Sequence, residues 1–176
     1  MPTFGDDIDM GEEIAGQADI HRDAWEQTIE DARALEAERR DGGWETVLIP
    51  SGQTATEPPR VGNTDRYGLV HVIPDNFVEE FEDFFERGTF TEFDVYRAEA
   101  SGRVFLVTEL LDPDEKLAIL VIANYKLRDA AELIETVVEA GDMYTHVQTL
   151  DGTHRGSFEH EDYEKFFPEA ALVEQG

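Results

Sequence analysis

The chain has 176 residues, 40% of them apolar with 11 phenylalanines, and carries 41 acidic against 14 basic residues, a net charge of −27 at pH 7. It has no cysteine, which excludes disulfide scaffolds, cysteine–zinc sites and thiol nucleophiles together. No run approaches the ~18 apolar residues of a membrane helix, and the acidic start MPTFGDDIDMGEE is unlike a signal peptide, so the expected compartment is the cytoplasm by elimination.

Residues 1–18 are acidic, dotted with glycine and without period, and read as a disordered tail. A flanking segment over 19–43 follows, with a helix predicted over 19–40. Asp19 or Asp23 caps it, Gly42-Gly43 stops it, and Trp25, Ile29, Ala32 and Leu35 form a narrow apolar stripe. Such a stripe docks on a body or pairs with another helix. Residues 44–176 are expected to form one α+β domain. Trp44–Pro50 is a short strand, and Ser51–Arg66 (SGQTATEPPRVGNTDR), rich in turn formers, reads as a long loop over 51–66. Tyr67–Ile73 is a strand. Pro74-Asp75 starts a helix with Asp75 as its cap, Phe77, Phe81, Phe84 and Phe85 on its apolar face, and Gly88 at its end. Strands Thr91–Ala98, Arg103–Leu111 and Lys116–Tyr125 follow, joined by turns at Ser101-Gly102 and Asp112-Pro113-Asp114. A second helix is predicted over Lys126–Ala140, ended by Gly141. Then come a strand Tyr144–Leu150, a turn at Asp151-Gly152, a return strand Arg155–Glu159 and a short terminal helix His160–Phe167.

This order is β-α-β-β twice over, with the glycine pairs Gly88/Gly141 and Gly102/Gly152 offset by about fifty residues. The predicted fold is α+β: an antiparallel sheet of about six or seven strands built from two βαββ half-repeats, two main helices on one face, and an N-terminal flanking helix. Val104–Leu111 and Leu117–Ala123 are apolar at both alternating positions, which demands cover on both faces. The two body helices can cover one face. The other needs the N-terminal helix, the long loop or a second subunit.

His71 and His146 sit mid-strand, where they can line one pocket as acid and base, with Tyr96, Tyr125 and Tyr144 joining it. Arg103 and Arg155 each follow a turn, one in each half-repeat, and can bind an anion together. These seven are the candidate ligand-binding residues. His154 and His160 with Glu161 or Asp162 form the densest histidine–acid cluster, but the spacing matches no closed site and no metal is assigned. Carboxylate pairs carry no signal at this acid content. GxSxG, HExxH, Walker and GxGxxG patterns are absent, so neither a catalytic residue nor a cofactor is implied. The phenylalanines, at helix and strand spacing, are core.

The stretches RYGLVHVIPDNFVEEFEDFFERG, GRVFLVTELLDPDEKLAIL and YTHVQTLDGTHRGSFEH, within residues 66–168, resemble an uncharacterised family of haloarchaeal proteins of unknown function. The resemblance implies a haloarchaeal source and no particular activity. The doubled βαββ order is similar, in element order alone, to GyrI-like ligand-binding domains.

The expected function is a halophilic, non-enzymatic module that binds a small molecule or a protein in a regulatory role. A homodimer is its companion expectation. The alternatives are an enzyme acting near His71 and His146, or a structural subunit of a larger complex. The charge argues against nucleic acid and membranes as partners. High charge with little apolar content would mean disorder, but here the acids sit between strongly apolar segments. The charge therefore reads as adaptation to concentrated salt. The Debye length falls from roughly 8 Å at physiological ionic strength to roughly 3 Å at about 1 M, which screens carboxylate repulsion. The circular dichroism melt is expected to shift strongly to lower temperature on dialysis from 2 M KCl to low salt; an unchanged melt would refute this reading.

Overall fold

The computed structural model of the chain describes residues 3–57 and 67–170, the side chains of residues 3–15 excepted. Helix α1 runs Thr3–Asp41, longer at its amino end than the 19–40 predicted. Most of the expected acidic tail, residues 1–15, lies outside the described side chains. The strands are β1 Glu45–Pro50, β2 Gln53–Glu57, β3 Gly68–Val72, β4 Glu92–Ala100, β5 Arg103–Asp112, β6 Leu117–Lys126, β7 Met143–Gln148 and β8 His154–His160. Helices α2 Val78–Arg87 and α3 Ala131–Ala140 each follow a single 3-10 turn. The expected terminal helix is only a 3-10 turn at Tyr163–Lys165, and Asp75 makes no capping bond to α2.

The single antiparallel sheet predicted from the sequence is replaced by two mixed four-stranded sheets. The first has the order β1-β6-β5-β4 with β1 parallel to β6; the second has the order β2-β3-β7-β8 with β3 parallel to β7. The two βαββ units exchange their first strands. Strand β3, which opens the first unit, pairs with β7 of the second, while β6, which opens the second, pairs with β5 of the first. Hydrophobic periodicity says which residues alternate, not which strand a strand will join, so it did not show this exchange. Part of the expected loop 51–66 is also strand. β2 pairs antiparallel with β3, while 58–66 lie outside the described residues. At the β1–β2 corner the chain passes from one sheet to the other: the Ser51 amide donates to Ile122 O and the Gly52 amide to Val72 O.

The inner faces of the two sheets meet. Helix α2 closes one end, placing Phe81 and Phe84 against Val47, Ile49, Leu110, Ile119, Val147 and Phe158. Helix α3 closes the other, placing Leu133, Ile134 and Val137 against Leu69, Val104, Leu106, Ala123 and Met143. The two body helices therefore sit at opposite ends of the intersheet space rather than on one face. The outer face of the first sheet (Val107, Leu111, Ala118, Leu120, Ile122) is covered by α1 through Trp25, Ile29, Ala32 and Leu35. Ala32 is fully buried, and its small side chain lets the helix axis approach the sheet. The double-sided cover that β5 and β6 demand is thus met within one chain, by a helix on one side and a second sheet on the other.

The α1 interface buries one charge. Glu109 lies on the outer face of β5 with its side chain 1% exposed, and Arg39 of α1 meets it with both guanidinium arms, Nε–Oε2 3.0 Å and Nη2–Oε1 3.4 Å. The Arg39 guanidinium also stands over the Trp44 ring, 4.8 Å from its centroid. Removing one member of a buried pair leaves the other uncompensated. Arg39→Ala is expected to destabilise the protein by about 2–3 kcal/mol, less than a fully enclosed pair because Arg39 is partly exposed. Arg39→Met with Glu109→Leu should recover most of that loss in denaturant titrations; if the single variant costs nothing, Glu109 is not held by this pair.

Candidate functional site

Strand alternation decides where the predicted site residues fall. His71 on β3 is opposite Val147 on β7, whereas His146 is opposite Val70. The two histidines therefore face opposite sides of the second sheet and do not share a pocket. His71 points inward and is wholly buried, with Nδ1 2.9 Å from Thr54 Oγ1. His160, also inward, has Nε2 2.7 Å from Thr145 Oγ1 and packs against Phe93 and Phe166 at ring-centroid distances of 4.2 and 4.8 Å. His146 lies on the outer face beside Ser157 Oγ at 2.7 Å, between the rings of Tyr144 and His154, each 5.8 Å away. His154 and His160 thus fall on opposite faces as well. Among the described residues no group of three or more His, Cys, Asp or Glu side chains is placed to hold a metal ion.

The tyrosines also part. Tyr125 is buried at the α3 end of the core, and burial pushes its hydroxyl up to about 12. Tyr96 lies half-exposed on the outer face of the first sheet, raised by burial and by the neighbouring Glu109 and Asp94 carboxylates. Tyr144 meets His146, and Tyr125 shares the wall of one groove with Arg103. The two arginines stand on different sheets. Arg155 donates to Glu82 of α2 at 3.0 Å and to Thr149, while Arg103 donates to Asn124 Oδ1 at 2.7 Å. They form no joint anion site.

Arg103 belongs instead to a constellation that crosses three elements. The β4–β5 tip turns through Ser101 (φ 48°) and Gly102 (φ 79°), both left-handed. Gly102 O accepts from the Leu127 amide at 3.0 Å, which ties the tip to the turn after β6, and Ser101 O lies 3.0 Å from His21 Nε2 of α1. Two concavities flank this junction. One, of about 590 Å³, is a polar groove between β2, the end of β6 and the start of α3; Ser51, Thr54, Ala55, Asn124, Tyr125 and Glu132 are among its walls. The other, of about 520 Å³, lies under α1 and is lined by Gln17, His21, Ser101, Gly102, Arg103, Lys126, Leu127 and Arg128. Arg103 and Lys126 line both. The sequence reading missed His21, Lys126 and Arg128. The only signal in sequence was the run Lys126-Leu-Arg128, two of just 14 cations within three residues.

Together these features describe an α+β protein of two mixed sheets with a polar groove at one corner. The chain belongs to a family of unknown function, DUF7529, whose match spans residues 11–168. Neither a curated protein nor a solved structure matches it significantly. No helix among the described residues is long and apolar enough to cross a membrane.

The buried histidines leave a pH signature. Burial lowers His71 to about 4, aided by repulsion from His146. Burial lowers His160 to about 3, aided by His71, His146 and Lys165. Both are neutral in the fold but take up a proton near pH 6.5 when unfolded. The unfolded chain therefore binds more protons below pH 6.5, and stability falls as pH drops through that window towards about 4 and about 3. His160→Gln is expected to remove on the order of 2 kcal/mol of the parent's loss between pH 6.5 and 5. Equal slopes in denaturant titrations of parent and variant would show that His160 titrates normally.

Proposed function

We propose that this protein is a non-enzymatic small-molecule-binding module that works in concentrated salt, with its ligand in the groove between β2, the end of β6 and α3. The observation that carries this reading is the groove itself. At about 590 Å³ it falls within the size range of ligand pockets. Its walls come from four separate elements, with hydroxyl, amide, carboxylate and cationic groups converging on one space. The corner at Ser51-Gly52, hydrogen-bonded to both sheets, gives it a rigid floor.

The alternative of an enzyme acting through His71 and His146 loses its geometric basis, because the two side chains are separated by the sheet and His71 has no exposed surface. Assembly through a bare face of the first sheet loses its motive, because α1 occupies that face.

The test is a thermal-shift screen of small polar metabolites in 2 M KCl, run on the parent protein and on Ala55→Trp, which adds bulk at the groove wall. A ligand at about 100 times its Kd adds about 2.7 kcal/mol to stability, a rise of roughly 5–10 °C for a domain of this size. The parent should show such a saturable rise for at least one class of compound and Ala55→Trp should not. A shift that survives in Ala55→Trp, or no shift with any compound, overturns the reading.

A further inference from the structure

In a chain with nearly three carboxylates for every cation, a cation is expected to find an acidic partner. Seven whose side chains are described do so within 4.0 Å: Arg22, Arg39, Arg40, Arg87, Arg97, Arg155 and Lys165. Five others have no such pair among the described residues: Arg33, Arg103, Lys116, Lys126 and Arg128. Of these, Arg103, Lys126 and Arg128 line one space, the cavity under α1. None of that cavity's lining residues is acidic, although 41 of the 176 residues are. His21 adds a fourth nitrogen-bearing side chain, and the left-handed turn at Ser101-Gly102 completes the wall.

The fold brings the three side chains to one place, although Lys126 and Arg128 are exposed. The bond from Arg103 Nη1 to Asn124 Oδ1 at 2.7 Å holds the guanidinium at the junction, and its other donors have no hydrogen-bond partner among the described residues. Lys126 ends β6 directly opposite Arg103 in the antiparallel register, so the two charges leave the sheet edge side by side. Arg128 follows within the 3-10 turn whose first amide is bound to Gly102 O. Like charges held together cost free energy unless an anion sits between them. Strong electrostatic screening in molar salt lowers that cost but does not remove the donors' need for an oxygen acceptor.

We infer that Arg103, Lys126 and Arg128 form an oxyanion subsite, taking the phosphate or carboxylate group of a small ligand whose uncharged part lies in the adjoining groove. This rests on the groove being a ligand site, and it names the class of ligand. Arg103 and Lys126 line both spaces, so one molecule can cross the junction with its anionic end under α1 and its polar body against Asn124 and Thr54. A guanidinium supplies paired donors to a planar or tetrahedral oxyanion, and the two neighbouring cations neutralise its remaining charge.

The test is isothermal titration calorimetry of pyrophosphate, and separately of citrate, into the full chain in 2 M KCl. The parent should bind one of the two saturably, which also tells phosphate from carboxylate. Arg103→Gln/Lys126→Gln/Arg128→Gln should weaken that binding at least tenfold. Arg33→Gln/Lys116→Gln, which removes two cations that have no acidic partner among the described residues, should leave it unchanged. Circular dichroism melts in the same buffer establish that each variant is folded, and Arg128→Glu alone should weaken binding several-fold if the triple variant is not. Equal affinity in parent and triple variant, equal loss in both multiple variants, or no binding of either anion overturns the inference. Binding of a neutral metabolite that Ala55→Trp abolishes and the triple variant retains would leave the groove a ligand site and sink the anion subsite alone. Pyrophosphate binding that the triple variant loses and Ala55→Trp retains, with no compound shifting the parent in the thermal screen, would keep the anion subsite and sink the groove reading.

Discussion

Strands β5 and β6 are apolar on both sides, and nearly every position along them is buried. Removing such a surface from water contributes on the order of 2 kcal/mol per large aliphatic side chain, so neither face can be left bare. The rest of the architecture satisfies that demand. Helix α1 lies across one face with a stripe only four residues long, and a second sheet faces the other. Helices α2 and α3 fill the open ends of the intersheet space. The corner at Ser51-Gly52 joins the sheets along one edge, bringing β2 close to the end of β6 and so defining the groove.

Electrostatics divides the molecule differently. With so few cations, several are committed to joints between distant elements: Arg39 of α1 to Glu109 of β5, Arg87 of α2 to Glu45 of β1, Arg155 of β8 to Glu82 of α2, and Arg97 of β4 to Glu169. Those at the surface are each worth little. The Arg39–Glu109 pair differs because Glu109 is enclosed and Arg39 is the cation that meets it. Of the five described cations that have no acidic partner among the described residues, three, Arg103, Lys126 and Arg128, gather where β5 begins and β6 ends and line one cavity.

The polar interior is equally deliberate. His71, Thr145 and His160 lie on the inner face of the second sheet, and Thr108 on the inner face of the first, in a space otherwise lined by phenylalanine and aliphatic side chains. His71 and His160 each spend one ring nitrogen on a neighbouring threonine, and burial keeps both rings neutral. They specify how β2, β3, β7 and β8 meet, because a one-residue slip would turn each histidine to the opposite face.

The amino-acid sequence by itself determined most of the elements and their order, β2 and the terminal turn excepted, because hydrophobic period, glycine stops and turn residues are local properties of the chain. It determined that Val104–Leu111 and Leu117–Ala123 must be covered twice, and that the stripe of Trp25, Ile29, Ala32 and Leu35 must dock somewhere. Only the tertiary structure decided that β3 joins β7 and β1 joins β6, that residues 53–57 form a strand, and that His71 and His146 face opposite ways. Each of these depends on pairing between residues far apart in the chain, and a two-residue period looks the same whichever neighbour a strand acquires. The meeting of Arg103, Lys126, Arg128 and His21 is of the same kind: four side chains from a strand start, a strand end, a turn and a helix become one site only when the sheet register and the docking of α1 are both set.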